Sequence, residues 1–489
     1  MKNTAIKLAA FLLTLITVIT LISGCADEKP PEPGTTAAAV SDTEPAATTP
    51  ETAYIDTLEK RDFGNETFTV IGQSSSDRQN FYNEDKAGEP INESIRRRDF
   101  AVEERLNLKL EYIAQADRKK VATLVHAATS VNDATYDLVI TSLSDGINTL
   151  ATGGDLCNLF EIPGLSLESV YWNQSMTVNM EMYGKLYFTT GPISPQLYQT
   201  PIVMTENKKL AEDYKLEDPY KVVLENRWTI DKLYEMIKDV SYDFNNDTVM
   251  DSSDFWGLVV DPTFGNALYV GAGLEARQLV DGKYRLAIGD EAFVNLVDKC
   301  ASLFGDRSIV LNNPQGKYDY DLDIFKPGRA LFMDNTVLGV IGIRDMDDDF
   351  AIIPCPKATL EQEKYYTTCN TWLPSGVAVP FTGMDKAEDI GLIMETMAYY
   401  SYEEIMPAVY EIMLRGRVSR TADDWKTLDI IFENLSFDFV SVFNPGGASD
   451  KLRNAMIGEL ENYVSEYASI ARAAQRELDN FAAVAKKQK

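Results

Sequence analysis

Phe68-Thr69-Val70-Ile71-Gly72 is the stretch on which the fold turns. It is β-branched and aromatic, carries no alternation, and ends in Gly, which reads as a buried strand. A polar loop follows, Gln73-Ser74-Ser75-Ser76-Asp77. Next comes a helical pattern from about Asn92 to Leu106, with Ile91, Ile95, Val102 and Leu106 near helical spacing. Leu108-Lys109-Leu110-Glu111-Tyr112-Ile113 is a second strand and Lys119 to Thr129 a second helix. Asp137-Leu138-Val139-Ile140-Thr141 is a third strand, apolar enough to lie inside a sheet. Strands alternating with helices predict an α/β fold on a mainly parallel sheet.

The pattern continues downstream. Trp228 to Val240 reads as a helix capped by Thr229, with Ile230, Leu233, Ile237 and Val240 on one face. Phe255 to Val260, Phe350-Ala351-Ile352-Ile353-Pro354 and Gly376-Val377-Ala378-Val379-Pro380 read as strands. Val337 to Ile343 is strand-like as well, and from Lys386 to Lys489 the chain reads almost entirely helical.

At the other end, Met1-Lys2-Asn3-Thr4-Ala5-Ile6-Lys7 precedes an apolar run from Leu8 to Ile22, then Ser23-Gly24-Cys25. A positive start, a short apolar run and small residues mark a signal peptide, and the run is too short to favour a membrane span. Small residues followed by Cys resemble a bacterial lipobox, which implies a signal over 1–24 and lipidation of Cys25. Residues 25–61 then form a Pro-, Thr-, Ala- and acid-rich tether, poor in the apolar side chains that would offset its ordering entropy. About 30 such residues reach roughly 30 Å. The expected location is extracytoplasmic, anchored to the cell membrane by lipid.

The formal net charge is −29, and loss of Lys2 and Lys7 with the signal takes it to −31. So acidic a chain repels phosphate backbones, which argues against a nucleic-acid partner. It is also repelled by an anionic leaflet, so the lipid and not a basic patch must hold it there. Apart from Cys25 there are four cysteines, Cys157, Cys300, Cys355 and Cys369, with no Cys-x-x-Cys spacing and no neighbouring His. Zinc is therefore not expected. Cys355 and Cys369 flank a turn and are close enough in sequence to pair if oxidised; buried free thiols are the other reading. The single histidine, His126, reads as an ordinary helix residue and leaves no material for a multi-His metal site. Arg96-Arg97-Arg98 reads as a solvated helix face and Asp345 to Asp349 as an acidic turn.

Several segments, in order, resemble the extracellular solute-binding proteins of bacterial ABC importers, the carbohydrate-type family 1 lipoproteins. They are the lipobox and tether, Glu89-Pro90-Ile91-Asn92-Glu93-Ser94-Ile95 leading to Val102-Glu103-Glu104-Arg105-Leu106, and Tyr136-Asp137-Leu138-Val139 with Gly154-Asp155-Leu156. Trp228-Thr229, the run Phe325 to Phe332 containing Gly328, and Asp349 to Lys357 complete the series. The resemblance covers about residues 60–440 and implies a two-lobed type II periplasmic-binding-protein fold with a hinge and a helical C-terminal region. Lobe one would be 62–192 plus 334–383, and lobe two 193–333 plus 384–489. It implies a monomeric, non-enzymatic receptor, with no catalytic residue, that delivers a mono- or oligosaccharide to ABC permease subunits. Two other functions fit the inventory: a surface glycan-degrading enzyme, since a glycosidase needs only two carboxylates, or a sensory or adhesion lipoprotein of the same fold.

Loops at strand ends supply the candidate ligand contacts, because sugars are met by flat rings and a few placed polar groups. These are Tyr82 and Asp85 beyond the first strand, Ser142 and Asp145 beyond the third, Tyr198, Asn266, Asn370 and Trp372. No cofactor is expected, with one exception. Asp243, Asn245, Asp247, Val249, Asp251 and Asp254 fall at positions 1, 3, 5, 7, 9 and 12 of a calcium-type loop, Val249 through its carbonyl. Thr248 replaces the usual Gly at position 6 and Asp254 the usual Glu at 12, so a solvated acidic turn is the other reading of a structural calcium site.

Overall fold

The computed structural model describes residues 54–75, 79–313, 320–415 and 421–487. The signal peptide, Cys25 and the tether as far as residue 53 lie outside the described residues.

The opening alternation folds as β1 (Glu66–Gln73), α1 (Pro90–Leu106), β2 (Leu108–Gln115), α2 (Arg118–Ser130) and β3 (Leu138–Ser142). Pro90 starts α1, where its missing N–H costs nothing. Asn107 ends it in a left-handed cap, φ 48°, and donates its N–H to Glu103 O. β1 runs parallel to both β2 and β3, with Val70 level with Tyr112 on one side and Leu138 on the other. Ile91, Ile95, Val102 and Leu106 are all buried, as their spacing requires. Arg98 departs from the expected solvated face. It lies three residues after Ile95 and four before Val102, so it points inward, fully buried, and pairs with Asp99 Oδ1 at 2.7 Å. Arg96 and Arg97 stay on the outer face.

The second sheet contains β4 (Ile202–Asn207), preceding α3 (Ile230–Ile237), and β5 (Trp256–Val260), preceding α4 (Phe264–Gly271). A small hairpin of β6 (Arg277–Val280) and β7 (Lys283–Leu286) follows, turning at Asp281-Gly282 with φ positive at both residues. After α5 (Glu291–Phe304) come β8 (Val310–Asn312), β9 (Ala330–Thr336), β10 (Phe350–Pro354) and β11 (Ser375–Ala378). The two main sheets have the orders β11-β3-β1-β2 and β10-β4-β9-β5-β8. The expected parallel arrangement holds for β1, β2 and β3 and fails at β11 and β4. β11 runs antiparallel to β3, and β4 runs antiparallel to both β9 and β10, so both sheets are mixed.

Val337 to Ile343 is not a strand. Gly339–Ile343 is a 3₁₀ turn, and Val337, Val340 and Ile343 are the fully buried members. That is a period of three, which a short apolar run does not distinguish from a strand by hydrophobicity alone.

The helical C-terminal region contains α6 (Ala387–Arg415), α7 (Ala422–Glu433), α8 (Phe439–Phe443), α9 (Ala448–Met456) and α10 (Tyr463–Lys487). Its packing revises the expected segment boundaries. β10 belongs to the five-stranded sheet beside β4, so of the segment 334–383 it is β11 that returns to the first sheet. α6, expected with lobe two, lies on α1, tied by Glu404 to Arg97 and by Glu388 to Arg61. α7 packs on the second sheet instead, where Thr427 Oγ1 donates to Ile352 O at 2.6 Å. The tether boundary moves too. Tyr54–Thr57 is helical, Ile55 is buried, and Tyr54 OH donates to Glu395 Oε1 at 3.0 Å, so residues 54–61 are packed and not tether.

Cys157, Cys300, Cys355 and Cys369 are buried free thiols. Among the described residues no helix is long and apolar enough to cross a membrane.

Candidate ligand-binding cleft

β3 and β5 end, in their separate sheets, on the same cavity of about 190 Å³. Crevices beyond the carboxyl ends of parallel strands are where α/β folds place ligands. Ser144, Asp145 and Asn148 line it from the turn after β3, and Asn266 from the first turn of α4. Asn370, Thr371 and Trp372 enter from the segment leading to β11. The last wall is the segment from Ser441 to Arg453.

The loop after β3 is held in an uncommon shape. Asp145 has φ 61° and ψ 4°, left-handed for a residue with a side chain, inside the turn Leu143–Ile147. Its carboxylate thereby meets Arg118 NH2 at 3.4 Å and Lys119 Nζ at 3.5 Å. Ser142, buried below, donates its hydroxyl to Trp372 O at 2.8 Å. Trp372 is 42% exposed, and Asn370 Oδ1 receives its backbone N–H at 3.2 Å.

A buried ladder joins three of the walls. Ser144 Oγ and Thr371 Oγ1 are 2.7 Å apart, and Thr371 Oγ1 donates to Ser441 O at 3.1 Å. Asn148 Nδ2 donates to Val442 O at 2.9 Å. Opposite, Asn444 Nδ2 donates to Asp450 Oδ2 at 2.8 Å, and Arg453 pairs with Asp450 Oδ1 at 3.2 Å. Both lining carboxylates thus carry cations already. Asn266 Oδ1 is buried with no hydrogen-bond partner among the described residues, an acceptor left over in the wall. Behind that wall, Asp438 caps α8 by accepting from Val440 N at 2.8 Å. Burial pushes its carboxyl up to about 6, against the lowering pull of the Val440 and Ser441 amides and of Arg277.

Four of the eight expected contacts therefore line the cleft: Asp145, Asn266, Asn370 and Trp372. Ser142 supports it from beneath. Tyr82 and Asp85 do not line it; Asp85 sits exposed in the turn Glu84–Lys86, and Tyr82 OH reaches Glu84 Oε2 at 3.4 Å. Tyr198 is buried, its ring 5.9 Å from that of Phe432, and burial raises its phenol. The wall from 441 to 453 was not anticipated. Its signal is Asn444-Pro445-Gly446-Gly447, turn chemistry between two apolar runs.

His126 Nδ1 lies 3.0 Å from Asp155 Oδ1, with Ser130 Oγ 3.5 Å from Nε2. None of the three lines the cleft.

The loop 243–254, where the sequence places a calcium-type pattern, is held by its own hydrogen bonds. Asp243 Oδ2 accepts from Thr248 N, Asp247 Oδ1 from Val249 N, Asp251 Oδ1 from Ser253 N, and Asp254 from Phe244 N and Asp251 N. Asn245 Nδ2 donates to Asp247 Oδ2 at 2.8 Å, while Asp243 Oδ1 is buried with no hydrogen-bond partner among the described residues. Among the described residues no three His, Cys, Asp or Glu side chains converge as a metal site needs. Thr248 takes the left-handed backbone, φ 73°, that Gly would take freely.

Two sheets, a cleft at their strand ends and a helical C-terminal region make this a two-lobed periplasmic-binding-protein fold. Solved structures share it. A cyclo/maltodextrin-binding protein complexed with maltotetraose matches 87% of this chain and 98% of its own, at 12% identity and a TM-score of 0.53. The maltose-binding periplasmic protein MalE from Listeria monocytogenes, in complex with maltose, matches 87% and 99%, at 12% identity and 0.52. UspC of M. tuberculosis matches 84% and 100%, at 13% identity and 0.56. No family model and no curated protein matches the sequence.

Proposed function

We propose that this chain is an extracytoplasmic receptor that binds a mono- or oligosaccharide in the cleft between its two sheets. The observation that carries the reading is the cleft's composition. One exposed indole, Trp372, stands among amides, hydroxyls and two carboxylates whose charges are already paired. An indole suits the C–H face of a sugar ring, and the polar groups suit its hydroxyl edges. Two proteins of the same fold hold maltotetraose and maltose, which supports the same ligand class.

Binding is non-covalent, and the chain performs no reaction on its ligand. The ligand favours a closed arrangement of the lobes only through contacts made better there. An ABC permease is the proposed recipient, and lipid on Cys25 the proposed anchor, read from the lipobox pattern alone. A thermal-shift screen with sugars, polyols, peptides and amino acids tests the ligand class, since ligand in excess of its Kd raises the melting temperature. A peptide or amino-acid hit with silence across sugars contradicts it. Consumption of a glycan would replace the receptor with an enzyme. Labelling of the expressed chain with palmitate, lost in Cys25→Ala, tests the anchor.

A further inference from the structure

The exposed ring of the cleft has a partner that does not itself line the cavity. Arg118, the first residue of α2, places its guanidinium carbon 5.6 Å from the centroid of the Trp372 ring. That is within cation–π range. We propose that Arg118 is a positioning residue for ligand stacking: clamped between Asp145 and Trp372, it holds the indole as a preset platform in the cleft. The proposal rests on the receptor reading and deepens it.

Each end of the clamp is fixed independently. Asp117 caps α2 by accepting from Lys119 N at 2.7 Å, which anchors the backbone of Arg118. Asp145 holds the guanidinium at 3.4 Å from a left-handed backbone, φ 61°, that a non-glycine residue adopts only when its surroundings require it. The Trp372 backbone is held on both sides, its N–H by Asn370 Oδ1 and its carbonyl by Ser142 Oγ. What the backbone leaves undecided is the side-chain torsions of the indole. A planar cation against one face decides them before any ligand arrives, and a preset ring loses less freedom on binding. Arg suits this better than Lys, because its flat guanidinium can stack on the ring and hydrogen-bond a carboxylate at once.

The test is acrylamide quenching of tryptophan fluorescence in the full chain without ligand, with Trp372→Phe subtracted to isolate the ring. Trp172, Trp228 and Trp256 are buried, and the signal of the half-buried Trp425 is removed by the same subtraction. Arg118→Ala is expected to raise the quenching of Trp372 with the melting temperature retained. It is also expected to weaken binding of maltose, used as probe, about two- to fivefold, the size of an exposed cation–π contact. Arg118→Lys keeps the charge beside Asp145 and should fall between wild type and Ala; it serves alone if the Ala variant fails to fold. Quenching of Trp372 unchanged in both variants overturns the proposal. The quenching arm needs no sugar, so a wild-type chain that ignores maltose counts against the receptor reading and leaves this result standing.

Discussion

Ser144 and Thr371 meet hydroxyl to hydroxyl at 2.7 Å although 227 residues separate them in the chain. Each hydroxyl also reaches a backbone carbonyl of the third wall, Thr371 Oγ1 to Ser441 O at 3.1 Å and Ser144 Oγ to Val442 O at 3.3 Å. Three chain segments, one after β3, one before β11 and one in the helical C-terminal region, are joined at the floor of the cleft by this contact. Thr371→Val keeps the shape and removes the hydroxyl. It should cost about 1–3 kcal/mol in a denaturant melt, the penalty for leaving buried polar groups unpaired, and should weaken ligand binding. A melt identical to wild type would mean that the ladder does not hold the walls together.

Asp145 separates binding from stability. Its positive φ costs roughly 1–2 kcal/mol in a non-glycine residue, and Gly removes that cost. Asp145→Gly should therefore melt no lower than wild type while losing ligand affinity, measured by calorimetry. Loss of stability and retention of affinity would invert the role given to it.

Asp438 makes stability depend on pH in a stated window. Its folded carboxyl titrates near 6, above the ordinary 3.8. Between those values the folded state holds a proton that the unfolded state has lost. This group's contribution is thus greatest below the lower value, and stability falls as pH rises toward 6. Asp438→Asn keeps an acceptor for the Val440 and Ser441 amides and cannot titrate. The wild-type-minus-variant difference in unfolding free energy should slope downward between pH 4 and 6 and be flat above 7. A difference with no slope in that window would refute the assignment.

Calcium and chelator melts address the loop 243–254. Asp243 Oδ1 is buried there without a partner among the described residues, and we propose that the loop holds a structural calcium, so added calcium should raise the melting temperature and EGTA reverse the rise. The rise should disappear in Asp243→Ala, and melts that ignore calcium would leave the loop a solvated acidic turn.

Strand and helix identity was legible wherever pattern is local, and least so where it depends on a partner. The buried strands β1 and β3 follow from unbroken apolar, β-branched runs, and the stripe Ile91, Ile95, Val102 and Leu106 from helical periodicity. Arg98 broke the charge-run reading because helical phase outranks charge when a carboxylate waits inside. Val337 to Ile343 was misread because three-residue periodicity is hard to see in a run where nearly every residue is apolar. Asp145, Asn266, Asn370 and Trp372 line the cleft from places near strand ends, which the sequence pattern shows. Tyr82 and Asp85 occupy the same kind of place, but their loop folds back on α1, where Asn92 Nδ2 donates to Asn83 O and Lys86 O. Asn444, Asp450 and Arg453 come from a distant helical segment that only the tertiary fold brings to β3.

The most direct test of the account is calorimetric titration of the chain from Tyr54 with a panel of mono- and oligosaccharides that includes maltose and maltotetraose, in wild type and in Trp372→Ala. The account predicts saturable binding of at least one of them without turnover, and a loss of affinity of about tenfold or more in the variant, the scale of removing a stacked aromatic. Binding that is undiminished in Trp372→Ala, or binding of amino acids and peptides alone, would contradict it.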